Sequence, residues 1–333
     1  MKLTIAIFAI PILVALVCSV ADAGKPVIRK LGTVDCDLVE ATPVVFKGRL
    51  YRFEYVRKEY KPNRTGDSYF RFIDVATGKA TPAFAKGYHL GSAHVEGDTV
   101  YAYGVKSWGA SEIGVFCSKD MKTWKFETAL SLPGWGIYNN SVCKGRNVSG
   151  FPLHSNLETH GGYVMAIELG EPPEVVGVRF TMRFAESDDL IHWKITADDQ
   201  VFSKDRYTAC PAIRFLDDQY YMIYLEEKPG PSYVPSIVRS RDLVHWESSP
   251  YDSVLSFSEE DKQIANSLLT AEQRKHIAGA VDINNSDVDL CEFKGKTVIY
   301  YSWGNQQGIE FLASAEYDDG MAQFLRSFFF APR

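Results

Sequence analysis

Apolar positions in this chain fall mainly in short runs that alternate with polar ones or are rich in β-branched and aromatic residues. Runs of this kind predict strands that bury one face. Four pairs of runs turn at a Gly- or Asp-bearing tip: 41–56 at Lys47-Gly48, 92–105 at Gly97-Asp98, 208–227 at Asp217-Asp218 and 286–304 at Lys294-Gly295. A fifth pair joins 139–144 to 161–169 across an insertion. Gly and Asp supply the backbone conformations that hairpin tips need.

A third run follows each hairpin, starting near 69, 112, 180, 236 and 310, and three of these runs close on one turn: SKDMKTW (118–124), SDDLIHW (187–193) and SRDLVHW (240–246). Ser and Asp side chains accept hydrogen bonds from backbone N–H groups a residue or two on. The Trp adds an apolar plate as the return strand begins. Three copies, Ser118, Ser187 and Ser240 with Trp124, Trp193 and Trp246, predict a repeated β unit. YFRFIDVATG (69–78) and EFLASAEYDDG (310–320) are degraded copies, Phe70-Arg71-Phe72 matching Met182-Arg183-Phe184.

Hairpin, third strand, turn and fourth strand make the four-stranded antiparallel blade of a β-propeller. The predicted fold is all-β, one five-bladed propeller domain over 24–333. Roughly sixty residues per blade exceeds the ~40–50 of common blade repeats. The excess lies in a polar insertion, 145–160, and in 258–280 before the last blade. There Ser258 with Asp261 and Thr270 with Gln273 predict two short capped helices. A β-sandwich, the rival fold, does not repeat a turn motif at blade intervals.

With 46% hydrophobic residues, 13% aromatic residues and a formal net charge of −6, the chain reads as globular, and its lack of a basic run argues against nucleic acid or an anionic membrane as partner. Lys2, an apolar stretch over 3–20 and Ala21-Asp22-Ala23 predict a signal peptide, 1–23, and a secreted or periplasmic protein. Cys36, Cys117, Cys143, Cys210 and Cys291 have no Cys-x-x-Cys spacing, so neither a metal cluster nor a disulfide framework is expected. His94, His154 and His160 lack a carboxylate at metal spacing and read as loop histidines. No cofactor is required, a structural Ca²⁺ in the channel stays open, and a monomer is expected. Asn63, Asn139, Asn147 and Asn284 stand in Asn-x-Ser/Thr sequons.

Innermost strands of a propeller line a central channel whose mouth is a natural ligand site. Polar groups open all five: Glu40, His94, Asn139 with Asn140, Tyr207 with Thr208, and Asn285 with Asp287. Second strands end in Glu54, Glu168 and Glu226. Arg71, Asp289 and Trp303 complete the set of candidate substrate contacts, with His94, Asn140 and Tyr207.

The three turns resemble the Ser-x-Asp-Leu-x-x-Trp turns of five-bladed propeller glycoside hydrolases, families 43, 32 and 62 with the related families 117 and 130. ACPAIRFLDDQYYMIY is similar to the fourth-blade segment of family 32, and EATPVVFKGRLY to the first-blade segment of family 43. The resemblance implies an acidic residue at the opening of blade one, here Glu40, and another ahead of Cys-Pro in blade four. That second position is Ala209. The acid must then come from elsewhere, with Asp287, Glu226, Glu168 or His94 as candidates.

Glycoside cleavage needs one protonated and one ionised carboxyl, and burial beside an aromatic such as Trp303 would raise one of them. The expected activity is an exo-acting glycosidase with Glu40 as base and Asp287 or Glu226 as acid, and the resemblance to family 43 implies that it inverts. The two insertions would wall its pocket. Three other readings are a non-catalytic carbohydrate-binding propeller, a glycoside phosphorylase using Arg206, Arg214 and Lys228 to hold phosphate, and a purely structural secreted propeller.

Overall fold

The structure, a computed structural model, describes residues 25–57, 68–145, 162–230, 232–305 and 309–330. The expected signal peptide, the sequons at Asn63 and Asn147, His154 and His160, and nearly all of the 145–160 insertion lie outside these residues. Its strands form five antiparallel sheets. Blade I is β2–β5 (Ala41–Phe46, Arg49–Val56, Tyr69–Asp74, Lys79–Ala80) and blade II is β6–β9 (His89–Glu96, Thr99–Val105, Glu112–Ser118, Lys125–Ser131). Blade III is β10–β13 (Gly136–Gly145, Gly162–Glu171, Thr181–Ser187, Lys194–Ile195), with an extra β14 (Val201–Phe202) on β12. Blade IV is β15–β18 (Thr208–Leu216, Gln219–Lys228, Ser232–Ser240, Trp246–Ser248). Innermost strands touch in the sequence I–II–III–IV–V–I, so the ring is closed and the predicted five-bladed propeller is the fold.

Blade V closes differently from expectation. Its inner three strands are β19–β21 (Asn284–Phe293, Lys296–Gly304, Glu310–Tyr317), but the fourth is β1 (Arg29–Cys36) from the other end of the described chain. After β21 the chain instead enters a helix, Met321–Ser327, whose Phe324 and Leu325 are buried in the core of the last two blades.

The repeated turns carry one hydrogen-bond pattern. Ser118, Ser187 and Ser240 accept from the N–H three residues on, at 2.9, 3.0 and 2.9 Å. Asp120, Asp189 and Asp242 each accept two further N–H groups, all at 2.8–2.9 Å. The tryptophans do more than begin a return strand, because each reaches the preceding blade. Trp124 stacks on Phe84 at 3.8 Å and on Phe72 of blade I at 6.0 Å. Trp193 meets Tyr103 of blade II edge-on at 5.9 Å, and Trp246 stacks on Phe184 of blade III at 5.6 Å. An indole in each of these three seams therefore couples the sequence repeat to blade packing.

Between 258 and 280 lie the two expected elements, a 3-10 turn (Glu259–Lys262) and a helix (Ala271–Gly279), both with complete capping boxes. They pack on β1, where Thr33 N–H donates to the Gln263 carbonyl at 2.7 Å. This segment thus lies on the outer strand of blade V, and none of its residues lines the channel-mouth cavity described next.

Candidate functional site

A backbone irregularity repeats at the start of four inner strands. Pairing with the second strand slips by one residue between His89 and Ser92, Ile137 and Asn140, Ala209 and Ala212, and Ser286 and Asp289. Such β-bulges re-aim side chains. Leu90, Cys210 and Asp287 sit in them with φ of 50°, 51° and 49°. Pro211 is tolerated there because a bulge leaves N–H groups outside the ladder. Blade I has no slip, and Glu40 directly precedes its first strand. Glu40, Asn139, Asn140, Cys210 and Asp287 consequently line one small cavity at the channel mouth.

Three carboxyls from three blades share this mouth. Glu168, from β11 of blade III, is 3% exposed and accepts from the Cys210 N–H at 2.7 Å and Asn139 Nδ2 at 3.1 Å, both on Oε2. Burial pushes its pKa up to about 7; the two donors oppose this, and the Asp287 charge adds to it. Glu40 also rises to about 7 through burial, against the opposing Arg57 guanidinium and with the charges of Asp287 and Glu168. Its Oε2 is buried without a hydrogen-bond partner. Asp287 accepts from Ser302 Oγ at 3.1 Å. Carboxyls that repel one another in a desolvated site keep a proton at neutral pH.

Around them stands an aromatic wall. Tyr207 packs edge-on against Phe180 at 5.6 Å and Tyr233 at 5.5 Å, Phe180 against Tyr138 at 4.7 Å, and Tyr138 against Trp108 at 6.4 Å. Arg179 stacks on Phe180 at 4.7 Å, bonds the Tyr138 hydroxyl and pairs with Glu171 at 3.3 Å. Burial, with the nearby Cys210, Glu168 and Asp287, raises Tyr207 well above the usual phenol range. Apolar ring faces beside charged acceptors suit a sugar, whose C–H faces stack while its hydroxyls bond.

The expected residues divide by position. Glu40, Glu168, Asp287, Asn140 and Tyr207 come together here; Asn140 accepts from Ser92 Oγ at 2.6 Å. Glu226 does not. It bonds Lys228 Nζ at 2.8 Å and Ser236 Oγ at 2.9 Å and lies 3.3 Å from Arg206, lining a separate 190 Å³ cavity. Burial pushes it upward, but these donors outweigh it and hold it below the usual range. Its second-strand counterpart Glu54 is fully buried between Arg52 and Arg71. Arg71 therefore faces the seam between blades I and V rather than the mouth.

Trp303 is also corrected: it is 0% exposed, donates to Thr33 Oγ1 at 2.9 Å and stacks on Phe311 at 4.5 Å, so it is core. His94 lines a different cavity of about 320 Å³ with Arg214, further along the inner strands, and burial lowers its basicity to about 4. Asp289 does line the mouth cavity, but its carboxylate is committed to Arg214. The phosphate-holding set of Arg206, Arg214 and Lys228 is thus divided, Arg206 and Lys228 pairing with Glu226 and Arg214 with Asp289. Asn285 bonds Lys30 and Asp261. Thr208 is buried against the Phe180 carbonyl at 3.2 Å. Asn284 is buried and Asn139 holds Glu168, so neither sequon presents its amide to a glycan.

Cys210, Arg57 and Arg179 were not expected. Cys210 stands one residue after Ala209, itself 1% exposed, in the bulge that aims at the mouth. Its thiol lies 3.7 Å from Asn139 Nδ2, and burial with Asp287 and Glu168 pushes it well above the usual range. The five described cysteines are all free. Among the described residues no three His, Cys, Asp or Glu side chains are grouped to hold a metal, and no helix is long and apolar enough to cross a membrane.

Solved structures share this architecture. A glycoside hydrolase superposes with a TM-score of 0.59 at 14% identity, covering 88% of this chain and 92% of its own. An α-L-arabinanase from Cellvibrio cellulosa, complexed with arabinohexaose, gives 0.51 at 12% identity over 85% and 91%. A family 43 endo-arabinanase from Bacillus licheniformis gives 0.52 at 9% identity over 86% and 96%. At these identities the likeness establishes the five-bladed fold. No family model matches the chain, and no curated protein matches it in sequence.

Proposed function

We propose that this protein is an exported glycoside hydrolase that removes a terminal sugar from an oligo- or polysaccharide with inversion. The observation that carries this reading is the set of three carboxyls, Glu40, Glu168 and Asp287, of which two are raised to about 7 at one aromatic-walled mouth. The solved propellers of the same fold that are glycosidases support it.

Roles follow from the surroundings of each group. Glu168 has neutral donors on one oxygen, which leaves the other to carry the proton, so it is assigned as general acid in place of the carboxyl missing at Ala209. Glu40 has the Arg57 cation beside it, which favours its ionised form, and is assigned as base to a water. The Asp287 charge raises both neighbours and so keeps the proton on the acid. In the reaction Glu168 gives its proton to the leaving oxygen as the glycosidic bond breaks. Glu40 takes one from the water that bonds to the anomeric carbon. At 3% exposure, Glu168 is reached only by a group inserted into the mouth, which favours a chain end.

The test is a reducing-end assay over a polysaccharide panel, with Glu168→Gln and Glu40→Gln as controls and NMR of the first-formed anomer. Release of monosaccharide with inverted configuration, lost in both variants, is expected. Sugar binding without bond cleavage on any substrate would make this a carbohydrate-binding propeller instead.

A further inference from the structure

Blade I lacks the plate that blades II, III and IV each place in the seam with the preceding blade. In blades II, III and IV the residue that faces the turn serine where the return strand begins is Trp124, Trp193 or Trp246, as the pairs Cys117–Lys125, Glu186–Lys194 and Ser240–Trp246 show. In blade I the pair Asp74–Lys79 puts Val75 opposite Gly78. Asp74 Oδ1 accepts from Ala76 and Thr77 N–H at 3.1 and 3.2 Å, as the turn aspartates do, and the residue four on is again Gly78. Gly78 has φ +68°, and a Cβ there would meet only Leu268 Cδ1, at 3.6 Å.

Where an indole would reach blade V there is instead a cavity of about 910 Å³. Leu50, Ile73, Phe293 and Val298 make apolar walls, and Leu268, 75% exposed, stands at the rim. The polar lining is Arg52, Arg71, Lys294 and Lys296 against Asp35 and Glu316. Arg52 and Arg71 share the buried Glu54 at 2.5 and 2.6 Å, while Arg71 Nη2 lies 3.9 Å from Asp35. Burial and the Glu54 charge push Asp35 up, which eases the approach of an anion.

We propose that the seam between blades I and V is a second binding site, separate from the channel mouth, for a small anion with a flat apolar body, an aryl carboxylate. Its ring takes the place of the missing indole among the apolar walls, and its carboxylate faces Arg71 and the lysines. The volume lies in the ~300–1,000 Å³ range of ligand pockets. Arg52, Arg71 and Lys296 already have carboxylate partners, but Lys294 has none among the described residues, and this cation at the wall favours a carboxylate over a neutral arene.

The test titrates the full chain with 2-naphthoate and, in parallel, with uncharged 2-naphthylmethanol, reading ligand fluorescence. One naphthoate per chain is expected, bound at least tenfold more tightly than the alcohol. Ala80→Trp fills the cavity from β5 and Leu268→Trp caps its rim; each should weaken naphthoate at least tenfold while sugar release is unchanged. Because Leu268 is exposed, its variant carries the test if Ala80→Trp fails to fold. No saturable binding, equal affinity for the alcohol, or unweakened binding in a folded variant overturns the proposal.

Discussion

The Cys210 backbone N–H donates to Glu168 Oε2 at 2.7 Å, tying the bulge of blade IV to a carboxyl of blade III. The blade-four position that resemblance marks as acidic is Ala209, yet the strand beside it grips an acid from the neighbouring blade. Glu168→Gln keeps that geometry and removes the transferable proton. Turnover should fall by about 10²–10⁴-fold, the range for loss of a general acid. Glu226→Gln, in its own cavity with Lys228 and Ser236, should leave kcat intact and change stability by under about 1 kcal/mol. Initial rates and urea midpoints of the two variants separate these outcomes; equal loss of rate in both would reverse the assignment.

Glu40 and Glu168 are both raised to about 7, so activity should fall as pH rises through neutrality and the acid loses its proton. The two interact, so the alkaline limb of kcat/KM belongs to the pair rather than to either residue. Asn139 donates to the ionised form of Glu168 and so lowers its pKa. Removing that bond favours the protonated form. In Asn139→Ala the alkaline limb should move to higher pH, and a shift to lower pH would contradict the role given to Glu168.

The repeat was legible because its chemistry is local. A Ser, an Asp two on and a Trp four further fix a turn within seven residues, and three copies with two worn ones counted the blades. Hairpin tips such as Gly97 and Gly295 set most strand bounds for the same reason. What stayed hidden depends on non-local pairing. The N-terminal Arg29–Cys36 strand carries no turn signal that assigns it to blade V; ring closure alone places it there. The bulges at Cys210 and Asp287 add one residue to a strand without changing its apolar pattern, so they were invisible, and with them the convergence on Glu168. Glu54 and Glu226 each have a cation two residues away on their own strand, Arg52 and Lys228, which Glu168 lacks, and Arg71 and Arg206 from elsewhere complete those ion-pair groups. Trp303 looked like a sugar platform because an aromatic near a strand end gives no sign of which face it takes.

Cys210 places a thiol among acidic groups at the mouth, and burial with the charges of Asp287 and Glu168 keeps it protonated. Alkylating agents need the thiolate and should react slowly at neutral pH. A soft mercurial binds sulfur tightly and should block the mouth. p-Chloromercuribenzoate is expected to abolish turnover, substrate to protect against it, and Cys210→Ala to keep its own activity in its presence. Cys143 and Cys291 are pushed up to about 12 and line the other cavity, so inactivation that persists in Cys210→Ala would place the sensitive thiol there.

The turns should report in stability rather than in rate. Trp193 is buried against Tyr103, and Trp193→Ala should cost about 3–5 kcal/mol, seen as a lower urea midpoint. The aspartates add a pH dependence. N–H groups of Thr123 and Lys122 draw Asp120 down to about 2. Burial works against the same effect at Asp189, but bonds from the His192 side chain and from the His192 and Ile191 N–H groups prevail, again reaching about 2. Folded values below the unfolded ones mean that the contribution is complete above about pH 4 and is lost as pH falls toward 2. Urea midpoints between pH 5 and pH 2.5 should drop steeply, and less so in Asp189→Asn. An Asp189→Asn slope equal to the parent's would show that this turn does not govern the acid limb.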